Sequence, residues 1–167
     1  MSVTSLLDAV KVVKENERLA SQSYLTASWE IKNPMGKKLF EELSAFENYH
    51  FKQLSALEKS LESSGEYIDY TGREFPLPPV LKAKAAQEPE SKSVMKIISE
   101  AIALEQEAEK AYADLAAQTT EKRGRAMFER LSEEENGHYR LLKNAYWALT
   151  NLGTWEFSRP QGMVGDF

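Results

Sequence analysis

The chain has two histidines, His50 and His138, and each closes the same tetrapeptide pattern, Glu-Asn-x-His. They sit in "AFENYHFKQL" (45–54) and "LSEEENGHYRLL" (131–142), stretches that otherwise carry Leu, Phe and Met at helical spacing. A glutamate and a histidine three residues apart lie about 60° apart on one face of an α-helix, so one helix can present both to a single metal ion. A lone Glu-x-x-His carries little weight. Here each pair has a further glutamate 30 residues before its own, Glu17 before Glu47 and Glu105 before Glu135. Four carboxylates and two imidazoles are the donor types that bind hard and borderline divalent cations.

These residues must be positioned by helices. Apolar residues recur at alternating spacings of four and three over about 4–32, 35–63, 92–119 and 122–150, which predicts four amphipathic helices. "NPMG" (33–36) separates the first two, with Pro34 suited to the first turn of the second helix, and "TTEKRG" (119–124) separates the last two. Connections this short make each pair an antiparallel hairpin. A shift of 88 residues superposes the hairpins without a gap: between 17–54 and 105–142, 12 of 38 positions are identical, including all six candidate ligands and the pair Tyr24 and Tyr112.

On the apolar ladders of the four helices, Glu17, Glu47, His50, Glu105, Glu135 and His138 are the ionisable interruptions. Glu17 and His50 are equidistant from the first loop, and Glu105 and His138 from the second. At about 1.5 Å per residue all six lie roughly 25 Å from their loops, at one level of the core. Four ionised carboxylates there would cost many kcal/mol without positive charge, and no Lys or Arg falls on the ladders at that level. Two divalent cations balance them. The expected site is dinuclear, with Glu47 and Glu135 bridging and Glu17 with His50 and Glu105 with His138 completing the separate metals; sequence does not fix which terminal Glu joins which His.

Between the hairpins, about 64–91 is rich in Gly and Pro and is long enough to run the length of the bundle as a crossover. Gly153 is a plausible helix stop, and in the tail 151–167 Trp155 and Phe157 either dock on the bundle or belong to a loosely ordered end. The predicted architecture is an all-α four-helix bundle over 1–150, made of two antiparallel hairpins joined by a long crossover.

Composition narrows the function further. The chain has 167 residues, 42% apolar and 28% charged, enough for one domain with a sizeable core. A formal charge of −5, without a basic cluster, argues against nucleic acid as a partner. No secretory leader pattern and no window of membrane-spanning length is seen, so no membrane association and a cytoplasmic location are expected. Zero cysteines exclude thiolate metal sites, iron–sulfur clusters and a thiol nucleophile.

Tyr24 and Tyr112, two turns beyond Glu17 and Glu105, are candidate hydrogen-bond or electron donors to the site, or ordinary core. Trp29, Trp147 and Trp155 are expected to be packing residues. Asn48 and Asn136 are read as a solvated helix flank, and Glu107, Glu109, Glu133 and Glu134 as a solvated acidic face.

The segments "ERLASQSY", "MGKKLFEELSAFENYH", "EQEAEKAY" and "RGRAMFERLSEEENGH" resemble the rubrerythrin-like branch of the ferritin-like superfamily of di-iron carboxylate proteins. The resemblance covers both hairpins. It implies a ferritin-like fold, two iron ions per chain, with manganese or a mixed pair accepted by the same ligands, and reduction of hydrogen peroxide or dioxygen. It departs from classical members in two ways. Without cysteine there is no rubredoxin-type iron, so a separate electron-donor protein is implied; and where classical members have an extra Glu one turn beyond the third-helix ligand, this chain has Ala108. A homodimer is implied as well. Ferritin-like iron binding, ferroxidase or storage activity, and a manganese catalase-like activity, are the alternatives.

Overall fold

The computed structural model describes residues 2–76, 83–89 and 91–157. Four long helices carry the chain: α1 (Val3–Glu30), α2 (Pro34–Ser64), α4 (Lys92–Gln118) and α5 (Lys122–Leu152), with a short α3 (Ala83–Ala86) in the crossover. Local chemistry sets the ends. Asn33 caps α2 by accepting the Met35 N–H at 3.0 Å, with Pro34 in the first turn, where a missing N–H costs nothing. Ser91 caps α4 and Glu121 caps α5, the latter accepting from the Gly124 N–H at 2.8 Å. Gly65 and Gly153 end α2 and α5 in the left-handed conformation that a side chain disfavours.

The helices form the ferritin-like four-helix bundle, with α1 packed along α2 and α4 along α5 as antiparallel hairpins. Tyr24 and Ile31 near the end of α1 pack with Val94 and Ile98 near the start of α4, so these two are also antiparallel. Helices α2 and α4 are therefore parallel, which requires the crossover to return the full length of the bundle. Its residues 66–76 climb the groove between α2 and α5. The part of the expected crossover at 77–82 and 90 lies outside the described residues.

Two apolar clusters form the core. One gathers Ile31, Leu39, Phe40, Leu43, Ile98, Leu142 and Trp155; the other gathers Val10, Leu54, Leu57, Leu61, Leu115, Met127, Phe128 and Leu131. Between them lies the layer of ionisable residues. Gly36 and Gly124, equivalent in the repeat, serve close approach: a methyl group at the first would overlap the Trp155 ring from the tail, and at the second the Tyr67 ring from the crossover.

Trp155 and Phe157 dock on the bundle, both buried, and Trp155 Nε1 donates to Glu88 at 3.0 Å; residues 158–167 lie outside the described residues. Trp29 corrects the expectation of packing. It is 68% exposed, because its position on α1 faces outward and no other described segment covers it. Trp147 is half-buried. Among the described residues no helix is long and apolar enough to cross a membrane.

Candidate metal centre

All six ladder residues meet in one layer, each no more than 4% exposed. Glu47 and His50 project from consecutive turns of α2, Glu135 and His138 from consecutive turns of α5, and Glu17 and Glu105 from the middles of α1 and α4. Glu47 turns Oε2 toward His50 Nδ1 (3.2 Å) and Oε1 toward His138 Nδ1 (3.1 Å). Glu135 does the same, with Oε1 2.7 Å from His50 Nδ1 and Oε2 3.5 Å from His138 Nδ1. Glu17 lies 3.4 Å from His50, and Glu105 lies 3.4 Å from His138. Two groups result, Glu17–Glu47–His50–Glu135 and Glu47–Glu105–Glu135–His138, each with donor atoms within 4.8 Å of one another. Each terminal glutamate thus lies beside the histidine of its own hairpin, as the sequence assignment had it.

Two of the donor atoms, Glu105 Oε2 and Glu135 Oε1, are buried with no hydrogen-bond partner among the described residues, although imidazole nitrogens lie nearby. Ligands about 2.1 Å from one ion lie within about 4.2 Å of each other, so only a slight contraction of each group is needed to hold a divalent cation.

Electrostatics show how the layer is neutralised by protons. Burial works to raise the Glu17 carboxyl, but the His50 charge and hydrogen bonds from Glu47, His50 and Tyr112 bring it down to about 2. Burial likewise opposes, and Glu135, His138 and Tyr24 outweigh it, in lowering Glu105. Burial and the charges of Glu17 and Glu105 push Glu47 up to about 8. Burial and the charges of Glu47, Glu17 and Glu105 push Glu135 well above the carboxylate range. Burial disfavours the charged imidazoles, yet the surrounding glutamates raise both histidines well above 6.5.

The two tyrosines are hydrogen-bonded to the site, each to the glutamate of the opposite hairpin. Tyr24 Oη donates to Glu105 Oε1 at 2.7 Å, and Tyr112 Oη donates to Glu17 Oε1. Burial and the neighbouring carboxylates raise both phenols well above 10, so they stay protonated donors. Between α1 and α4 a cavity of about 300 Å³ reaches from the surface to these groups. Glu17, Glu47, Glu105, Glu135 and both tyrosines line its floor, and Ala20, Ala108, Leu19 and Leu104 its walls.

The histidine side is walled by aromatic rings, with a smaller cavity of about 230 Å³ beside His138 lined by Phe46, Arg73, Phe75 and Glu134. Phe46 lies edge-on to His50 (5.0 Å between centroids) and to His138 (4.4 Å), and Phe75 from the crossover lies 5.3 Å from His138. Here Glu134 departs from the expected acidic face. It is 7% exposed, and its Oε2 lies 3.0 Å from His50 Nε2. The crossover runs over this flank of α5, replacing water with the Tyr70 hydroxyl (2.6 Å) and the Arg73 N–H (2.6 Å), while Arg130 Nε adds a contact at 3.3 Å. Sequence did carry one clue: under the 88-residue shift Glu134 aligns with Phe46, a core position. Glu107 and Glu133 are exposed as expected. Glu109 is half-buried and accepts from Asn136 Nδ2 at 3.0 Å, so Asn136 is a helix-to-helix tie, while Asn48 is exposed.

The chain belongs to the rubrerythrin family, whose model matches residues 8–146. No curated protein matches it. Among solved structures, a hypothetical protein of Pyrococcus furiosus is similar in fold, with a TM-score of 0.65 and 23% identity, over 93% of this chain and 94% of that one. The family is one of ferritin-like di-iron carboxylate proteins, which implies iron binding.

Proposed function

We propose that this rubrerythrin-family chain is a di-iron oxidoreductase that reduces hydrogen peroxide, or dioxygen, with electrons from a separate donor protein. The observation that carries the reading is the paired posture of Glu47 and Glu135, each offering one oxygen toward His50 and the other toward His138. Glu17 and His50 would hold one iron, Glu105 and His138 the other, and the two shared carboxylates would bridge them. When bound, the iron pair supplies the two electrons that cleave an O–O bond, and for peroxide the balance is H₂O₂ + 2 e⁻ + 2 H⁺ → 2 H₂O.

The chain's own residues perform the remaining tasks. The cavity between α1 and α4 admits a small oxidant to the carboxylate side, while Phe46 and Phe75 pack their rings against the imidazoles on the other. Tyr24 and Tyr112 hold the terminal glutamates by hydrogen bonds that cross between the hairpins, which preserves the site's geometry when its charge changes. Val12, Leu19, Leu25 and Trp29 leave apolar surface on α1 that suits a second copy of the chain.

Anaerobic reconstitution with ferrous iron, desalting and metal analysis test the reading. The expected content is about two irons per chain, followed by peroxide consumption that requires a reductant. Tight binding of manganese, with peroxide disproportionated in the absence of reductant, would favour the catalase-like alternative. Assembly into a hollow shell would favour storage. No bound metal would end the proposal.

A further inference from the structure

We infer that the two metal positions are built unequal: Glu134 positions His50 so that the Glu17–His50 position fills first and tightly, while the Glu105–His138 position fills second and empties first. This rests on the dinuclear reading above.

The repeat supplies an internal control. Both positions share Glu47 and Glu135, and each has one terminal glutamate that accepts a hydrogen bond from a tyrosine of the opposite hairpin. In both, Nδ1 of the imidazole faces the carboxylates. The difference lies at the far nitrogen. His50 Nε2 meets the Glu134 carboxylate at 3.0 Å, and that carboxylate is itself held by Tyr70, the Arg73 backbone and Arg130. The 88-residue shift places Phe46 where a matching carboxylate for His138 would stand. His138 Nε2 is buried without a hydrogen-bond partner among the described residues, its ring packed against Phe46 and Phe75.

A carboxylate can only accept, so Glu134 fixes the proton of His50 on Nε2 and leaves the Nδ1 lone pair directed into the site. It also raises the basicity of that nitrogen and prevents the ring from turning. Such outer partners typically contribute about 10–100-fold to metal affinity. His138 has neither benefit. Among the described residues its polar contacts are all at Nδ1, with Glu47 nearest at 3.1 Å, so no polar group at Nε2 fixes its tautomer from behind. Because Tyr70 and Arg73 belong to the crossover, that segment reaches the tight position through hydrogen bonds and the other only through the Phe75 ring.

The test is a cobalt(II) titration of the intact apoprotein in competition with a chromophoric chelator, together with a crystal structure at one equivalent of cobalt. Two cobalt ions should bind in two steps separated by about 10–100-fold, and the single ion should lie between Glu17 and His50. Glu134→Gln, which keeps an acceptor but loses the charge, should weaken the first step about tenfold or more and leave the second nearly unchanged. A merely structural role for Glu134 would weaken both steps alike. His138→Gln should abolish the second step alone. Two equal or merged steps, or a first cobalt at His138, would overturn this inference and leave the dinuclear reading standing; no cobalt at either position would overturn the dinuclear reading itself.

Discussion

Loading the site with two divalent cations should expel about four protons per chain near neutral pH. In the metal-free layer, Glu17 and Glu105 are held low and carry negative charge, Glu47 (about 8) and Glu135 hold protons, and both raised imidazoles are cationic. Two negative and two positive charges leave the buried layer neutral. Two divalent cations against four carboxylates and two neutral imidazoles leave it neutral again, so the cations replace four protons. Each proton released changes binding by about 1.4 kcal/mol per pH unit, so the summed affinity for the pair should rise by about 5 kcal/mol per unit between roughly pH 6.5 and 8. Titration calorimetry in buffers of different ionisation enthalpy counts the protons directly. Release of fewer than about two protons per metal pair would show that protons are not what neutralises the apo layer, and the electrostatic reasoning would fail. The apoprotein should trend the other way. Raised from 4.5 to about 8, Glu47 favours folding fully below pH 4.5 and loses that contribution, on the order of 5 kcal/mol, as pH rises to 8. The histidines lose theirs as pH climbs above 6.5, and Glu17 loses its own as pH falls from 4.5 toward 2. The apoprotein should therefore melt highest near pH 4.5, and the gain in Tm on adding metal should widen as pH rises.

Glu47→Ala or Glu135→Ala should abolish tight binding of a second metal, measured as metal content after desalting; two retained ions would refute the bridging roles. Tyr112→Phe removes the donor to Glu17 while keeping the ring, and should weaken metal binding by roughly tenfold with the apo fold retained by circular dichroism; an unchanged affinity would make the phenol simple packing. Gly36→Ala should cost about 1–3 kcal/mol in chemical denaturation despite alanine's better helix propensity, because its methyl meets the buried Trp155 ring; a stabilised variant would show that the tail yields.

The helices, their pairing and the six-residue layer were legible in the sequence because each is encoded locally. Helical periodicity assigns residues to faces, short loops force hairpins, and equal distances from the two loops put Glu17 level with His50 and Glu105 level with His138. Periodicity is silent on what covers a helix flank. Glu133 and Glu134 are neighbours of like chemistry, yet Glu133 is exposed and Glu134 is buried against His50, because the crossover lays Tyr70 and Arg73 over one and leaves the other to water. Trp29 errs the other way, an aromatic that no other described segment covers. The tyrosines show the same division: their place on the ladder was readable, but their bonding to the opposite hairpin depends on how closely α1 and α4 approach. Sequence by itself determined a four-helix bundle with one buried layer of four carboxylates and two imidazoles, since the helical ladders put all six at one level and that layer demands compensating charge. Only the tertiary structure decided that its two halves differ, since the aperiodic crossover chooses which histidine acquires a partner.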